Sequence, residues 1–248
     1  MVKLKLIYIL PFFLLLNCYA QQAANTAHVN SVETVNHSLW DILLKKHVDD
    51  QGNVDYSSFK NDVKLLNDYL DHLAQNPISN AAEKEERLAY YINLYNAGTV
   101  QLILQNYPLE SIKDITRPWD KERLMIGEKA YSLGEIEHGI LRKMEESRIH
   151  FAINCASYSC PKLLNSAFTA SKMEEQLEAV TLNFINDPSR NKISLNAVEL
   201  SKIFKWYKGD FTDKLSLIDY LNKYSDIKIL SNAEMKYLTY DWRLNEKR

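Results

Sequence analysis

The stretch Ile149–Pro161, IHFAINCASYSCP, gathers a histidine, two cysteines, two serines and an asparagine within thirteen residues. The 248-residue chain has only one other cysteine, Cys18. Two thiols this close, beside a histidine, have three fates: a nucleophile, a short-range disulfide, or inert packing. A thiol attacks as its thiolate, so it needs a positive neighbour or a helix N-terminus to lower its pKa. An imidazole is the usual proton partner. Cys160 precedes Pro161, and proline is favoured at the first helical position, so Cys160 is expected to head a helix. Cys155 follows the polar Asn154, where an expected strand runs out. His150 lies in the same stretch and His138 upstream of it. The disulfide needs closely placed Cα atoms, which four intervening residues permit. A zinc site built from His138, His150, Cys155 and Cys160 would have soft ligands, but the spacing matches no common motif. No metal or cofactor is expected.

A second group lies on the segment that carries His138. Leu133, Ile136, Ile140, Leu141 and Met144 form an apolar stripe at helical spacing, and Glu137 lies inside it. A carboxylate there needs a partner or a raised pKa. His138 sits on the margin of the stripe, one turn before Arg142. Two titratable groups at a core boundary mark an active-site candidate, although structural ion pairs produce the same pattern. Asn96 falls on the edge of another apolar face, formed by Leu88, Ile92, Tyr95, Thr99 and Ile103. A buried asparagine must be hydrogen-bonded, here to a neighbouring loop, or else it takes part in the chemistry.

These groups need elements to hold them. The pattern predicts helices over Val32–His47, Asp62–Ala74 and Ala81–Gln105, the last stopped by Tyr107-Pro108. It predicts a hairpin over Arg123–Leu133 turning at Gly127-Glu128. Ser132 with Glu135, and Ser171 with Glu174, read as capping boxes that open two further helices, the second ending at Ile185. Ile149–Asn154 alternates like a strand, Lys192–Ser201 like a hairpin, and Leu215–Tyr224 like a helix. The C-terminal YLTYDWRLNE reads as extended. Helices and strands mix without βαβ alternation, so the expected class is α+β: a single domain of helices packed on a small, mostly antiparallel sheet, in the manner of papain or transglutaminase.

Composition narrows the functions. Apolar residues make up 46% and charged residues 25%, as in a folded globular chain. The net charge of -2 gives no basic excess for nucleic acid. Lys3, Lys5 and the apolar run Leu6–Leu16, followed by Cys18–Ala20, read as a signal peptide over residues 1–20, with a flexible lead over 21–31 and the domain over 32–248. A second reading makes Cys18 a lipid-modified N-terminus. Either way the expected location is exported, periplasmic or secreted, where paired thiols tend to oxidise. No later segment is apolar enough to span a membrane.

Five ordered motifs carry a family likeness: YYINLYNA (Tyr90–Ala97), LGEIEHGILR (Leu133–Arg142), IHFAINCASYSCP, LSKIFKWYKGDF (Leu200–Phe211) and YLTYDWRLN (Tyr237–Asn245). Together they resemble the domain-of-unknown-function 547 family, from about Ser58 to the C-terminus. The resemblance implies an exported bacterial member, and Glu137, His138 and the cysteine stretch match recurrent family motifs. It implies no settled activity.

The residues themselves favour a thiol-dependent hydrolase or acyltransferase acting on an amide or ester of a small molecule or peptide. Cys160 or Cys155 would attack the carbonyl. His138, or else His150, would take the proton, and Glu137 or Asn96 would orient that base. Backbone N–H groups at the expected Cys160 helix start would hold the oxyanion. The alternative is a non-catalytic, envelope-associated binding module stapled by a Cys155–Cys160 disulfide, with Trp206, Tyr207, Tyr240 and Trp242 as core or ligand-contacting aromatics.

Overall fold

A long central helix organises the molecule. The structure, a computed structural model, describes residues 35–247. The expected signal peptide, the flexible lead and Cys18 lie outside them. The central helix α4 spans Lys84–Asn106 and buries nearly every residue from Leu88 to Leu104. Glu85 and Glu86 in its first turn meet the positive end of the helix dipole. It ends where Pro108 forces Tyr107 into extended geometry (φ -72°, ψ 137°). A helix apolar on all sides must be wrapped, and the rest of the chain does so.

On one flank lie α1 (Ser38–His47), α2 (Tyr56–Phe59) and α3 (Val63–Gln75). Asp55 caps α2 by accepting from Ser58 N at 2.9 Å. The predicted hairpin forms, with β1 (Leu124–Ile126) antiparallel to β2 (Lys129–Tyr131) and a positive φ at Gly127 in the turn. It lies directly on α4. A methyl group added at Gly98 would come within 2.5 Å of Leu124 Cδ1.

The Ser132–Glu135 capping box is present in both directions, Ser132 N to Glu135 Oε2 at 2.8 Å and Glu135 N to Ser132 Oγ at 3.1 Å. The helix it opens is not regular. Glu135–Ile140 is wound as a π-helix and Leu141–Met144 as a 3-10 turn. Such departures from α geometry recur at functional sites.

Two expectations fail here. Ile149–Asn154 is not a strand, because Ile149–Ala152 forms a short helix, α5. All four of its residues are buried, so the apparent alternation marked no exposed face. Phe151 stacks on Phe184 and Phe211 and fixes the turn in the core. Nor does a helix begin at Cys160-Pro161, where residues 161–164 are irregular. The Pro161 carbonyl accepts from Asn154 Nδ2 at 2.7 Å instead of from a following turn. The helix start expected to hold an oxyanion is therefore absent.

Helix α6 spans Met173–Ile185. Its expected Ser171–Glu174 box does not form, because Glu174 turns to Arg148 at 2.7 and 2.8 Å. Beyond it, β3 (Lys192–Ile193) and β4 (Ala197–Leu200) form the predicted hairpin, and β5 (Glu234–Tyr237) joins β4 in parallel. Between β4 and β5 come α7 (Ile203–Trp206), α8 (Lys208–Phe211) and α9 (Leu217–Leu221). The class is α+β as expected, but with two small sheets in place of one. The C-terminal stretch is extended and makes single bridges, Arg243 with Ser111, Leu244 with Ser157 and Glu246 with Val54. It thereby clamps the loop that holds the cysteines.

Candidate functional site

The loop after α5 is fixed by buried amides. Asn96, on α4, donates from Nδ2 to the Ala152 carbonyl at 3.0 Å and accepts from Asn154 N at 2.8 Å. Asn154 Oδ1 accepts from Ala156 N at 2.8 Å, in a turn where Ala156 takes φ 59°. A left-handed alanine is held against its preference, which is common where a side chain must be presented. That side chain is Cys155. Asn96 hydrogen-bonds to neither histidine nor Glu137 and braces the loop instead.

The two thiols are free and adjacent. Cys155 Sγ lies 3.0 Å from Cys160 Sγ, 3.1 Å from Ser157 Oγ and 3.4 Å from Tyr240 OH. Cys160 Sγ also accepts from Cys155 N at 3.0 Å. Hydrogen bonding from Cys160 first, and from Ser157 and Tyr240, pulls the Cys155 thiol down to about 7 against the opposing effect of burial. Burial, reinforced by Cys155, pushes the Cys160 thiol well up. Of the two, Cys155 is the thiol pulled down and Cys160 the one pushed up. Its stabilisation comes from hydroxyl and thiol donors, and neither histidine hydrogen-bonds to either thiol.

Cys155 and Cys160 line a cavity of about 400 Å³ shared with Glu137, His138 and His150. Five of the six candidate residues thus converge, from the π-helical turn, α5 and the loop after it. The walls are aromatic. Trp206 and Trp242 stack at 5.8 Å, and Tyr240 packs on both at 4.8 and 4.5 Å. Trp119 closes against Trp242 at 5.9 Å.

Glu137 is 5% exposed. Its Oε2 accepts from Tyr95 OH at 3.3 Å. Its Oε1 is buried without a hydrogen-bond partner, and His138 Nδ1 is 3.9 Å away. Burial, and then the nearby Glu137 charge, push the Tyr207 hydroxyl up.

The histidines differ sharply. His138 is half exposed, and its Nδ1 faces Arg142 Nη1 at 3.3 Å. His150 is buried, its Nε2 lies 2.8 Å from Asp210 Oδ2, and its ring stacks on Tyr207 at 3.9 Å. Arg142 clamps the same carboxylate through Nε at 2.6 Å and Nη2 at 2.8 Å. The Arg142 hydrogen bond, then that of His150, holds Asp210 down at about 2. Burial lowers the His150 pKa, and Asp210 opposes that only in part. A neutral imidazole donating Nε2–H to a carboxylate keeps its lone pair on Nδ1.

Sequence reasoning missed Asp210. It sits in KWYKGDF, read only as a family motif, and a lone carboxylate among aromatics and lysines was the available signal. Ser157 lies within the cysteine stretch and Tyr240 among the aromatics, and nothing local in the sequence marks either hydroxyl as a partner for Cys155. Among the described residues, no three His, Cys, Asp or Glu side chains converge as metal ligands. No described helix is long and apolar enough to cross a membrane.

Comparison with known proteins gives one match. No curated protein and no solved structure matches the chain. The matched segment contains Asn96, Glu137, His138, His150 and both cysteines, but not Asp210 or the aromatic wall from Trp206 to Trp242. That segment, residues 79–185, matches the family model described as "Protein of unknown function, DUF547".

Proposed function

We propose that the cavity is a thiol acyl-transfer site, acting on an amide or ester whose acyl or leaving group is flat and apolar enough to sit against Trp206, Tyr240 and Trp242. The carrying observation is the Cys155 sulfur, on the cavity wall, held by Cys160, Ser157 and Tyr240. A thiol near 7 is partly thiolate at neutral pH without an imidazole beside it. The thiolate attacks the carbonyl carbon, the bond to the leaving group breaks, and a thioester forms on Cys155. Water or another acceptor then attacks the thioester carbonyl, the C–S bond breaks, and Cys155 departs as the thiolate. His150 takes the acceptor's proton on Nδ1, and Asp210 orients the ring, the part an aspartate plays in a hydrolase triad. The departing group takes its proton from water, and His138, expected as the leading base, accepts from Arg142 on Nδ1 instead.

The second reading, a binding module with a Cys155–Cys160 disulfide, draws on the short sulfur separation. Two free thiols, one of them activated, support the nucleophile instead. Export belongs to the same proposal and rests on the Lys3, Lys5 and Leu6–Leu16 pattern. The test is stoichiometric acylation by p-nitrophenyl acetate, read by peptide mass. Acetyl should appear on Cys155 and be absent in Cys155→Ser. Label on surface lysines alone would remove the proposal.

A further inference from the structure

Acyl transfer uses Cys160 only as a hydrogen-bond donor and leaves its own nucleophilic capacity idle. Its sulfur lies 3.0 Å from Cys155 Sγ, against about 2.05 Å in a disulfide, so closing the bond asks for about 1 Å of movement. The two residues are unequal in access, although both line the cavity. Cys155 is half-buried on the cavity wall, whereas Cys160 is 6% exposed. A half-buried cysteine with a more deeply buried one 3.0 Å from it is the layout of an attacking and a resolving thiol.

The geometry points to a second activity at this pair: thiol–disulfide exchange, with Cys155 attacking and Cys160 resolving, on a disulfide small or flexible enough to enter the cavity. The Cys155 thiolate attacks one sulfur of RS–SR. The substrate S–S bond breaks, RS⁻ departs with the electron pair, and a mixed disulfide stands on Cys155. Cys160 then attacks Cys155 Sγ, the Cys155–Cys160 bond forms, and the second RS⁻ leaves. The two thiol protons end on two RSH. The protein dithiol has lost two electrons, and the substrate disulfide has gained them.

The surroundings suit both steps. Ser157 and Tyr240 hold the attacking sulfur. Once Cys155 is in the mixed disulfide its negative charge is gone, and with it the neighbour that helps burial keep the Cys160 proton in place. Asn96 and Asn154 fix the loop, so the second attack is intramolecular and needs no domain movement.

The experiment mixes reduced full-length protein with glutathione disulfide, quenches in acid, alkylates with N-ethylmaleimide and reads peptide masses. Wild type should convert to the Cys155–Cys160 disulfide with only a transient glutathione adduct on Cys155. Cys160→Ser should accumulate that adduct, with a lifetime longer by on the order of tenfold or more. A lasting adduct on wild type, or no oxidation of either cysteine, overturns the proposal. Should Cys160→Ser fail to fold, the transient adduct on wild-type Cys155 decides alone: its appearance supports the proposal and its absence refutes it. Acylation of Cys155 by p-nitrophenyl acetate does not need Cys160 as a nucleophile. Acylation persisting without exchange refutes this inference only, and exchange persisting without acylation refutes only the acyl-transfer reading.

Discussion

His150 Nε2 and Asp210 Oδ2 lie 2.8 Å apart although the residues are sixty positions apart in the chain. The bond joins the short helix α5 to α8 and turns the imidazole toward the cavity that Cys155 lines. Asp210→Asn keeps the shape but removes the charge that Arg142 and His150 share. It should cost about 1.5–3 kcal/mol of stability, the range for a charged hydrogen bond. It should also slow thioester breakdown more than thioester formation. Urea denaturation and single-turnover acylation kinetics measure the two effects.

The same pair sets part of the acid response. Burial lowers the folded-state pKa of His150, so the unfolded chain takes up the proton more readily. Stability from this group is present above about pH 6.5, the unfolded histidine value, and is lost as pH falls below it. Asp210, held at about 2, adds stability that is present above about pH 4, the usual aspartate value, and is lost as pH falls toward 2. Thermal melts across pH should show the first decline weakened in His150→Gln and the second weakened in Asp210→Asn. Unchanged profiles in both would remove the pair from the acid response.

Glu137 is expected to be structurally demanding. Glu137→Ala takes the acceptor from the buried Tyr95 hydroxyl and should destabilise by about 1–3 kcal/mol. That exceeds the ~0.5 kcal/mol typical of surface changes. Glu137→Gln keeps an acceptor for Tyr95 and should cost less. Equal melting curves for Glu137→Ala and wild type would contradict the burial.

Much of the frame was legible because local chemistry decided it. The Ser132–Glu135 box, the stop at Tyr107-Pro108 and the glycine turn of the β1–β2 hairpin each depend on residues within a few positions of one another. The failures came where tertiary contacts outvoted the local pattern. Ile149–Asn154 alternates, yet burial on every side and the Phe151 stack make it helical. Pro161 signals a helix start, yet Asn154 captures its carbonyl. The candidate residues Glu137, His138, His150, Cys155 and Cys160 were legible from residue type and position. Asp210 was not, because its partners Arg142 and His150 lie more than fifty residues upstream and nothing near it in sequence needs a carboxylate.

Asn96→Ala tests whether the loop is held as described. It leaves Asn154 N and the Ala152 carbonyl without their buried partner, at ~1–3 kcal/mol for each group. The loss should be about 2–6 kcal/mol for the two groups together, accompanied by slower alkylation of Cys155 as the turn at Ala156 relaxes. Denaturation with parallel thiol labelling checks both. Full stability in the variant would exclude the bracing role.

The central claim is that Cys155, and not Cys160, is the activated thiol. The direct measurement is the rate of iodoacetamide labelling of each cysteine in reduced, native protein as a function of pH, resolved by peptide mass. Cys155 should label with a midpoint near 7, and its rate should fall as pH drops through that value and the thiolate takes up a proton. Tyr240→Phe and Ser157→Ala should each move the midpoint upward. Cys160 should stay unlabelled across the same range. Labelling of Cys160 ahead of Cys155, or of both together at the ordinary cysteine value of about 8.5, would contradict the account.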